Sequence, residues 1–267
     1  MYSKESLLNI DSVVSYKREN IILPHILMNL KDLFKILLRK LLKVLLWAFL
    51  ISNVYLLLCK WIMPPITLTQ FDSLISGYGL KRDYVGMEKI APSARLAVMA
   101  SEDQLFPDHG GFDWKSIEKS MKKNKRKSKK LRGAGASTIS QQVAKNVFLW
   151  QGSGISRYIR KLPEIYYTFL IEWVWGKKRI LEVYLNVAEM GPGIFGIEAA
   201  AQAYFSKEAK ALNRSEAARI ISCLPNPKVF TVKPMSRWVS WKYPRVLGQM
   251  RNIEVDPDIQ KLMYTKK

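Results

Sequence analysis

Apolar residues follow two different patterns along this chain. From Val44 to Met63 they are nearly continuous, VLLWAFLISNVYLLLCKWIM, with one charge, Lys60, near the end. A run of about 20 residues is long enough to span a bilayer. Lys60 can snorkel to the interface, and Trp61 suits the same depth. From Pro92 onward the apolar positions instead recur at helical spacing. Leu96 and Met99 share one face of a helix expected to start at Pro92-Ser93 and end near Glu102. Further helices are expected from Ser137-Thr138, over Ile155 to Trp175, over Lys178 to Asn186, over Ile197 to Phe205 and over Ser215 to Leu224, the last stopped by Pro225-Asn226-Pro227. The element from Ile155 carries Ile159, Leu162, Ile165, Phe169 and Trp173 at helical spacing, with Gly176 as its stop. Pro163 predicts a start or a kink inside it. Residues 64–90 carry turn signals (Pro64-Pro65, Gly77, Gly79, Gly86) and read as a linker, and Gly191-Pro192-Gly193 reads as a loop. Alternating strand patterns are hard to find. The expected architecture is a mainly α domain on a single N-terminal transmembrane helix: residues 1–35 as a cytoplasmic tail, 36–63 as the anchor with its basic flank, and 64–267 as the extracytoplasmic domain.

Charge narrows the choice of partners. The net charge is +21, which predicts a polyanion: nucleic acid, an anionic membrane surface or a phosphorylated substrate. Lys31, Lys35, Arg39, Lys40 and Lys43 precede the apolar run, which places the N-terminus in the cytoplasm and everything after Pro64 outside. A nucleic-acid role then fits poorly. The run is too long and starts too far from Met1 for a cleaved signal peptide, so a buried core helix is the remaining alternative. Two cysteines exclude a disulfide framework and a four-Cys zinc site, and Cys59 and Cys223 read as buried thiols.

Three stretches can carry chemistry. In SEDQLFPDHGGFD, residues 101–113, acids gather around His109. Glu102 falls at the expected C-terminus of a helix, where the dipole works against an ionised carboxylate and poises it as a general base, with Phe106 and Phe112 as walls. The alternative is a polar loop of solvated acids. In GAGASTISQQVAKN, residues 133–146, Thr138 and Gln141 have the capping-box form. Thr138, Gln142 and Lys145 line one face from a helix N-terminus, a reasonable phosphate site; the alternative is an ordinary capped helix. In the stretch from Arg157 to Asn186, Arg160 and Glu164 are spaced i, i+4, which serves either diphosphate binding or a surface ion pair.

The order and spacing of these motifs resemble one family. Glu102-Asp103-x-x-Phe106-x-x-His109 comes first, then Gly135-Ala136-Ser137-Thr138-Ile139-Ser140-Gln141-Gln142-x-x-Lys145-Asn146 and Arg160-Lys161-x-x-Glu164. Ile180-Leu181-Glu182-x-Tyr184-Leu185-Asn186 and Gly191-x-Gly193-x-x-Gly196-Ile197 follow. Beyond its anchor the chain resembles the monofunctional biosynthetic peptidoglycan glycosyltransferases, whose domain also occurs in bifunctional penicillin-binding proteins. The resemblance runs from about Pro92 to Pro227, and more loosely to Met250. It implies a lysozyme-like, mainly helical fold that polymerises lipid II into glycan strands in the periplasm, anchored in the bacterial inner membrane. By the resemblance Glu102 is the base that deprotonates the acceptor sugar hydroxyl, and Glu164 is the second catalytic carboxylate, at the donor diphosphate. Lys145 and Arg160 neutralise the diphosphate, and Thr138, Gln142 and Asn146 position it. Asp103, Phe106, His109, Ser137 and Lys161 belong to the same substrate-binding set. A divalent metal such as Mg2+ or Mn2+ is admitted at Glu164, and no other cofactor is implied. Expected partners are lipid II, the lipid-linked glycan chain and membrane lipids, with other wall-synthesis proteins admitted. The basic run from Lys115 to Arg132 reads as a lipid-facing or diphosphate-steering loop, or as a solvated charge run. Gly133 to Ala136 reads as a lengthened form of the family's Gly-Ala step. The rival readings are a lysozyme-like hydrolase or lytic transglycosylase, which needs no diphosphate cradle, and a non-catalytic membrane scaffold.

Overall fold

The computed structural model describes residues 30–118, 137–152 and 154–264. The expected tail up to residue 29, most of the basic run and the Gly133–Ala136 step lie outside the described residues. The chain forms two compact units, Met1–Tyr55 and Leu56–Lys267. In the first, helix α1 runs from Leu30 to Leu58, its last turn belonging to the second unit. At about 1.5 Å per residue it exceeds the roughly 30 Å of a bilayer core. Among the described residues it is the one helix long and apolar enough to cross a membrane. It starts earlier and stops sooner than Val44 to Met63, and all five basic residues expected to flank it lie inside it. The division between units falls at Tyr55/Leu56, ahead of the expected boundary at 63/64.

The second unit holds that last turn in place. Leu56 and Cys59 are buried. A helix ends with carbonyls that have no partner of their own. Trp175 Nε1 donates to the Leu56 carbonyl at 2.9 Å, and Arg179 donates to the Cys59 carbonyl through Nε at 3.1 Å and Nη2 at 2.9 Å.

Helix α2, Leu68–Ile75, lies in the stretch expected to be a linker. Its missed signal is a capping box, Thr67 with Gln70, of the same form as the one recognised at Thr138. After β1 (Lys81–Arg82) comes α3, Pro92–Glu102, with Pro in its first turn as expected. Every residue from Ala94 to Ala100 is buried, and the alanines let neighbouring helices approach closely. Arg95, buried in this helix, donates to the carbonyls of Met263, Ile90 and Met87, tying the C-terminal end of the chain to α3.

The remaining helices are α4 (Ile139–Phe148), α5 (Gly154–Val174), α6 (Gly176–Val187), α7 (Ile197–Phe205), α8 (Arg214–Ser222), α9 (Arg237–Ile253) and α10 (Pro257–Met263). Helices α8, α9 and α10 pack on α3, while α5 and α6 pack on α4. Between α6 and α7 the Gly191-Pro192-Gly193 loop turns a short hairpin, β2 (Glu189–Gly191) against β3 (Ile194–Phe195), and β1 adds to it in the order β1-β3-β2. At Gly193, φ is +69° and a Cβ would collide with the Tyr78 carbonyl, so only glycine fits this turn. The fold is mainly α, as expected, with lysozyme-like architecture.

The helix start expected near Pro163 is corrected: Pro163 sits inside one continuous helix of 21 residues. The proline removes one N–H from the ladder, but packing of the buried face on α4 and α6 outweighs that loss. Gly176 ends the element as expected: α5 stops at Val174, and Gly176, with φ of +73°, redirects the chain as the first residue of α6. The faces of α5 are the larger surprise. Its buried residues are Arg160, Glu164, Thr168 and Ile171, whereas Ile155, Tyr158, Leu162, Phe169 and Trp173 are 61–79% exposed. The apolar stripe at helical spacing points outward.

Candidate active site

Glu102 is the last residue of α3, half-buried at a cleft of about 270 Å³ that it lines with Asp103, Asp113, Ser116, Ser137 and Thr138. Oε1 accepts from Ser101 Oγ at 2.8 Å and from Lys242 Nζ at 3.3 Å. Oε2 accepts from Gln142 Nε2 at 3.3 Å. The Tyr184 hydroxyl donates to Gln142 Oε1 at 3.0 Å. Burial pushes the Tyr184 phenol well above its ordinary range, so it stays a neutral donor. A hydroxyl donated to Oε1 fixes the amide so that its NH2 turns to Glu102.

Asp103, one residue on, has different partners. It is buried, and its carboxylate meets His109 Nε2 at 3.0 and 3.2 Å and accepts the Ile139 N–H at 2.9 Å. That N–H opens α4, where an anionic group satisfies an orphan donor and complements the helix dipole. His109 Nδ1 accepts from the Gly111 N–H at 3.1 Å. Phe106 is fully buried, with Lys177 Nζ 4.5 Å from its ring centroid. Through these contacts Asp103, Phe106 and His109 brace the loop after Glu102 against α4 and α6, and Asp103 also lines the cleft.

Helix α4 opens with the expected capping box. Thr138 Oγ1 accepts from the Gln141 N–H at 3.1 Å, Gln141 Oε1 accepts from the Thr138 N–H at 3.1 Å, and the Thr138 hydroxyl donates to the Gly111 carbonyl at 2.7 Å. Thr138 is therefore buried and spoken for, while Ser137 is exposed at the cleft. Asn146 is buried in the helix.

One turn beyond Gln142, Lys145 enters a second charged group on α5. Glu164 is buried, with Lys161 Nζ at 2.5 Å from Oε1 and Arg160 Nε at 3.5 Å from Oε2. Arg160 Nη1 donates to the carbonyls of Trp150 and Gln151. Burial lowers the Lys145 ammonium below its ordinary value; Arg160 beside it acts in the same direction and Glu164 against it. Lysines and an arginine thus surround one carboxylate, which leaves uncompensated positive charge suited to an oligo-anion. Glu164 does not fit a resident divalent metal. Both of its oxygens face cations, and among the described residues no cluster of three His, Cys, Asp or Glu side chains forms a cage.

The other motif residues are framework. Asn186 exchanges hydrogen bonds with the backbone of Val85, Oδ1 accepting and Nδ2 donating, both at 2.9 Å. Glu182 accepts the Met87 N–H at 2.9 Å. A Cβ at Gly196, where φ is +87°, would lie 2.6 Å from the Asn186 carbonyl oxygen. Cys59 and Cys223 are buried and form no disulfide, as expected, and burial pushes the Cys223 thiol up to about 12, too high for a nucleophile.

A carboxylate in an open cleft is joined through one helix to a group of cations around the buried Glu164. Comparison with known proteins gives the class, a glycosyltransferase enzyme. A family model described as Transglycosylase matches residues 69–251. A protein of Mannheimia succiniciproducens named "Biosynthetic peptidoglycan transglycosylase" is 50% identical over 176 residues, 66% of this chain and 70% of that one. One of the same name from Escherichia coli is 50% identical over 184 residues, 69% of this chain and 74% of its own. The chain belongs to the transglycosylase family.

Proposed function

We propose that this chain is a peptidoglycan glycosyltransferase that polymerises lipid II into glycan strands for the cell wall, with inversion at the donor sugar and release of undecaprenyl diphosphate. The observation that carries this reading is the bridge made by α4: Gln142 touches Glu102, and one turn on Lys145 joins Arg160, Lys161 and Glu164. Glu102 takes the proton of the acceptor hydroxyl, whose oxygen attacks the anomeric carbon. Lys145, Arg160 and Lys161 receive the charge that develops on the departing diphosphate. Glu164 orients Arg160 and Lys161 and offsets part of the cost of burying Arg160. A hydrolase of finished glycan has no use for this cationic group. Incubating the detergent-solubilised full chain with fluorescent lipid II tests the reading: a ladder of glycan products supports it, and sacculus digestion without such a ladder rejects it.

The orientation and the lipid contact belong to the same proposal. The basic residues early in α1 favour a cytoplasmic N-terminus and a periplasmic second unit, in the inner membrane of a bacterium. The outward apolar stripe of α5 suits acyl chains, and it lies on the helix whose inner face carries Arg160 and Glu164. The diphosphate of a membrane-bound donor would then arrive at headgroup depth. Leu162→Glu with Trp173→Glu, both exposed positions, is expected to change stability by no more than about 0.5 kcal/mol. The same pair is expected to slow polymerisation in liposomes by roughly tenfold, with little effect in detergent. Equal rates in the two settings would reject the lipid contact.

A further inference from the structure

Lys242 belongs to none of the motifs, and 140 residues separate it from Glu102. It lies on α9, three residues after Val239 and four before Val246, both buried. That spacing puts Lys242 on the inward face of the helix, where an aliphatic residue is the ordinary choice. Its side chain is 16% exposed and that of Glu102 is 14% exposed. A largely buried ion pair is a poor source of net stability, because desolvation cancels much of the attraction. Glu102 is met by Lys242 from α9, Tyr184 from α6 and Cys223 at the end of α8, with Asp103 beside it and Asp113 on the cleft lining. Tyr184 and Cys223 are kept neutral by burial. Among the described residues Lys242 is the one cation within ion-pair distance of Glu102.

We propose that Lys242 is a positioning residue for the base: its ammonium engages Oε1 and fixes the carboxylate, so that Oε2 is the oxygen presented to the acceptor hydroxyl. The contacts divide accordingly. Oε1 accepts two hydrogen bonds, from Ser101 and Lys242, and Oε2 accepts one, from Gln142. The acceptor proton passes to Oε2, and the hydroxyl's electron pair forms the bond to the anomeric carbon. The bond from that carbon to the diphosphate oxygen breaks, its pair leaving on the diphosphate. Lys242 keeps its own proton throughout. This assignment rests on the reading of Glu102 as the base.

The test is kcat and KM for lipid II polymerisation by the full chain in detergent, comparing wild type, Lys242→Met and Lys242→Arg. Lys242→Met is expected to lower kcat roughly tenfold with KM unchanged, and Lys242→Arg, which keeps a cation on Oε1, is expected to restore most of that rate. A loss confined to KM, no loss, or an Arg variant as slow as the Met variant would each overturn the proposal. Lys242→Gln replaces Lys242→Met if the latter melts early; if neither neutral variant folds, the pair serves stability and the proposal falls. A wild type that makes no polymer overturns the function reading itself, an outcome distinct from all of these.

Discussion

Glu102→Gln is expected to remove polymerisation of lipid II, lowering kcat by about 10³-fold, within the range that a positioned general base contributes. Gln is nearly isosteric and can still accept from Ser101, so the melting temperature should stay near that of wild type. The loss would then be chemical. What disappears is the acceptor for the proton of the attacking hydroxyl; the cleft and the cationic group on α5 remain. Gel separation of fluorescent product makes the comparison direct. A Glu102→Gln protein that still builds glycan ladders would remove Glu102 from the role of base and leave Asp113, across the same cleft, as the next carboxylate to replace.

Lys145→Met should separate activity from stability. Polymerisation is expected to fall by about 10²–10³-fold, the scale on which a preorganised charge stabilises a developing anion. Stability is expected to hold or rise. Burial lowers the Lys145 pKa from its ordinary 10.5, so the folded chain binds this proton less tightly than the unfolded chain does. Charged Lys145 therefore costs stability at neutral pH, and that cost fades as pH climbs through the lowered value toward 10.5. Methionine removes the cost without opening a cavity, and Glu164 keeps Lys161 and Arg160 as partners. Calorimetry beside the activity assay checks both halves. A variant that loses activity and also melts well below wild type would show that Lys145 serves the fold instead.

Where the sequence speaks through local rules, it is easily read. The bounds of α3, Pro92 and Glu102, and the Thr138 capping box are visible because N-caps and N-terminal prolines act within one turn of chain. Helix α2 had the same kind of signal in Thr67 and Gln70, masked by the prolines and glycines around it. Helix α9 has Ser236 as its N-cap and buried Val239, Val246 and Met250, but Pro244 interrupts the pattern. What was not legible is anything set by the surroundings of an element. Apolar spacing on α5 announces a helix and a stripe, yet it does not say whether that stripe meets protein or lipid. In the same way, Asp103 and Glu102 are adjacent acids, and only the position of α4 decides that one accepts its opening N–H while the other meets Gln142. Lys242 is the sharpest case, since its meaning depends on a partner 140 residues away.

The last turn of α1 bears on how this protein is best made without its membrane span. Cutting at Pro64, where the apolar run gives out, would discard Leu56 and Cys59 from a hydrophobic core. It would also leave the Trp175 and Arg179 side chains without the carbonyls they cap. A shortened chain beginning at Leu56 keeps those anchoring points and is expected to give more folded protein than one beginning at Pro64, by yield and by melting temperature. The membrane helix of this protein ends as part of the enzyme, and a clean excision has to leave that end behind.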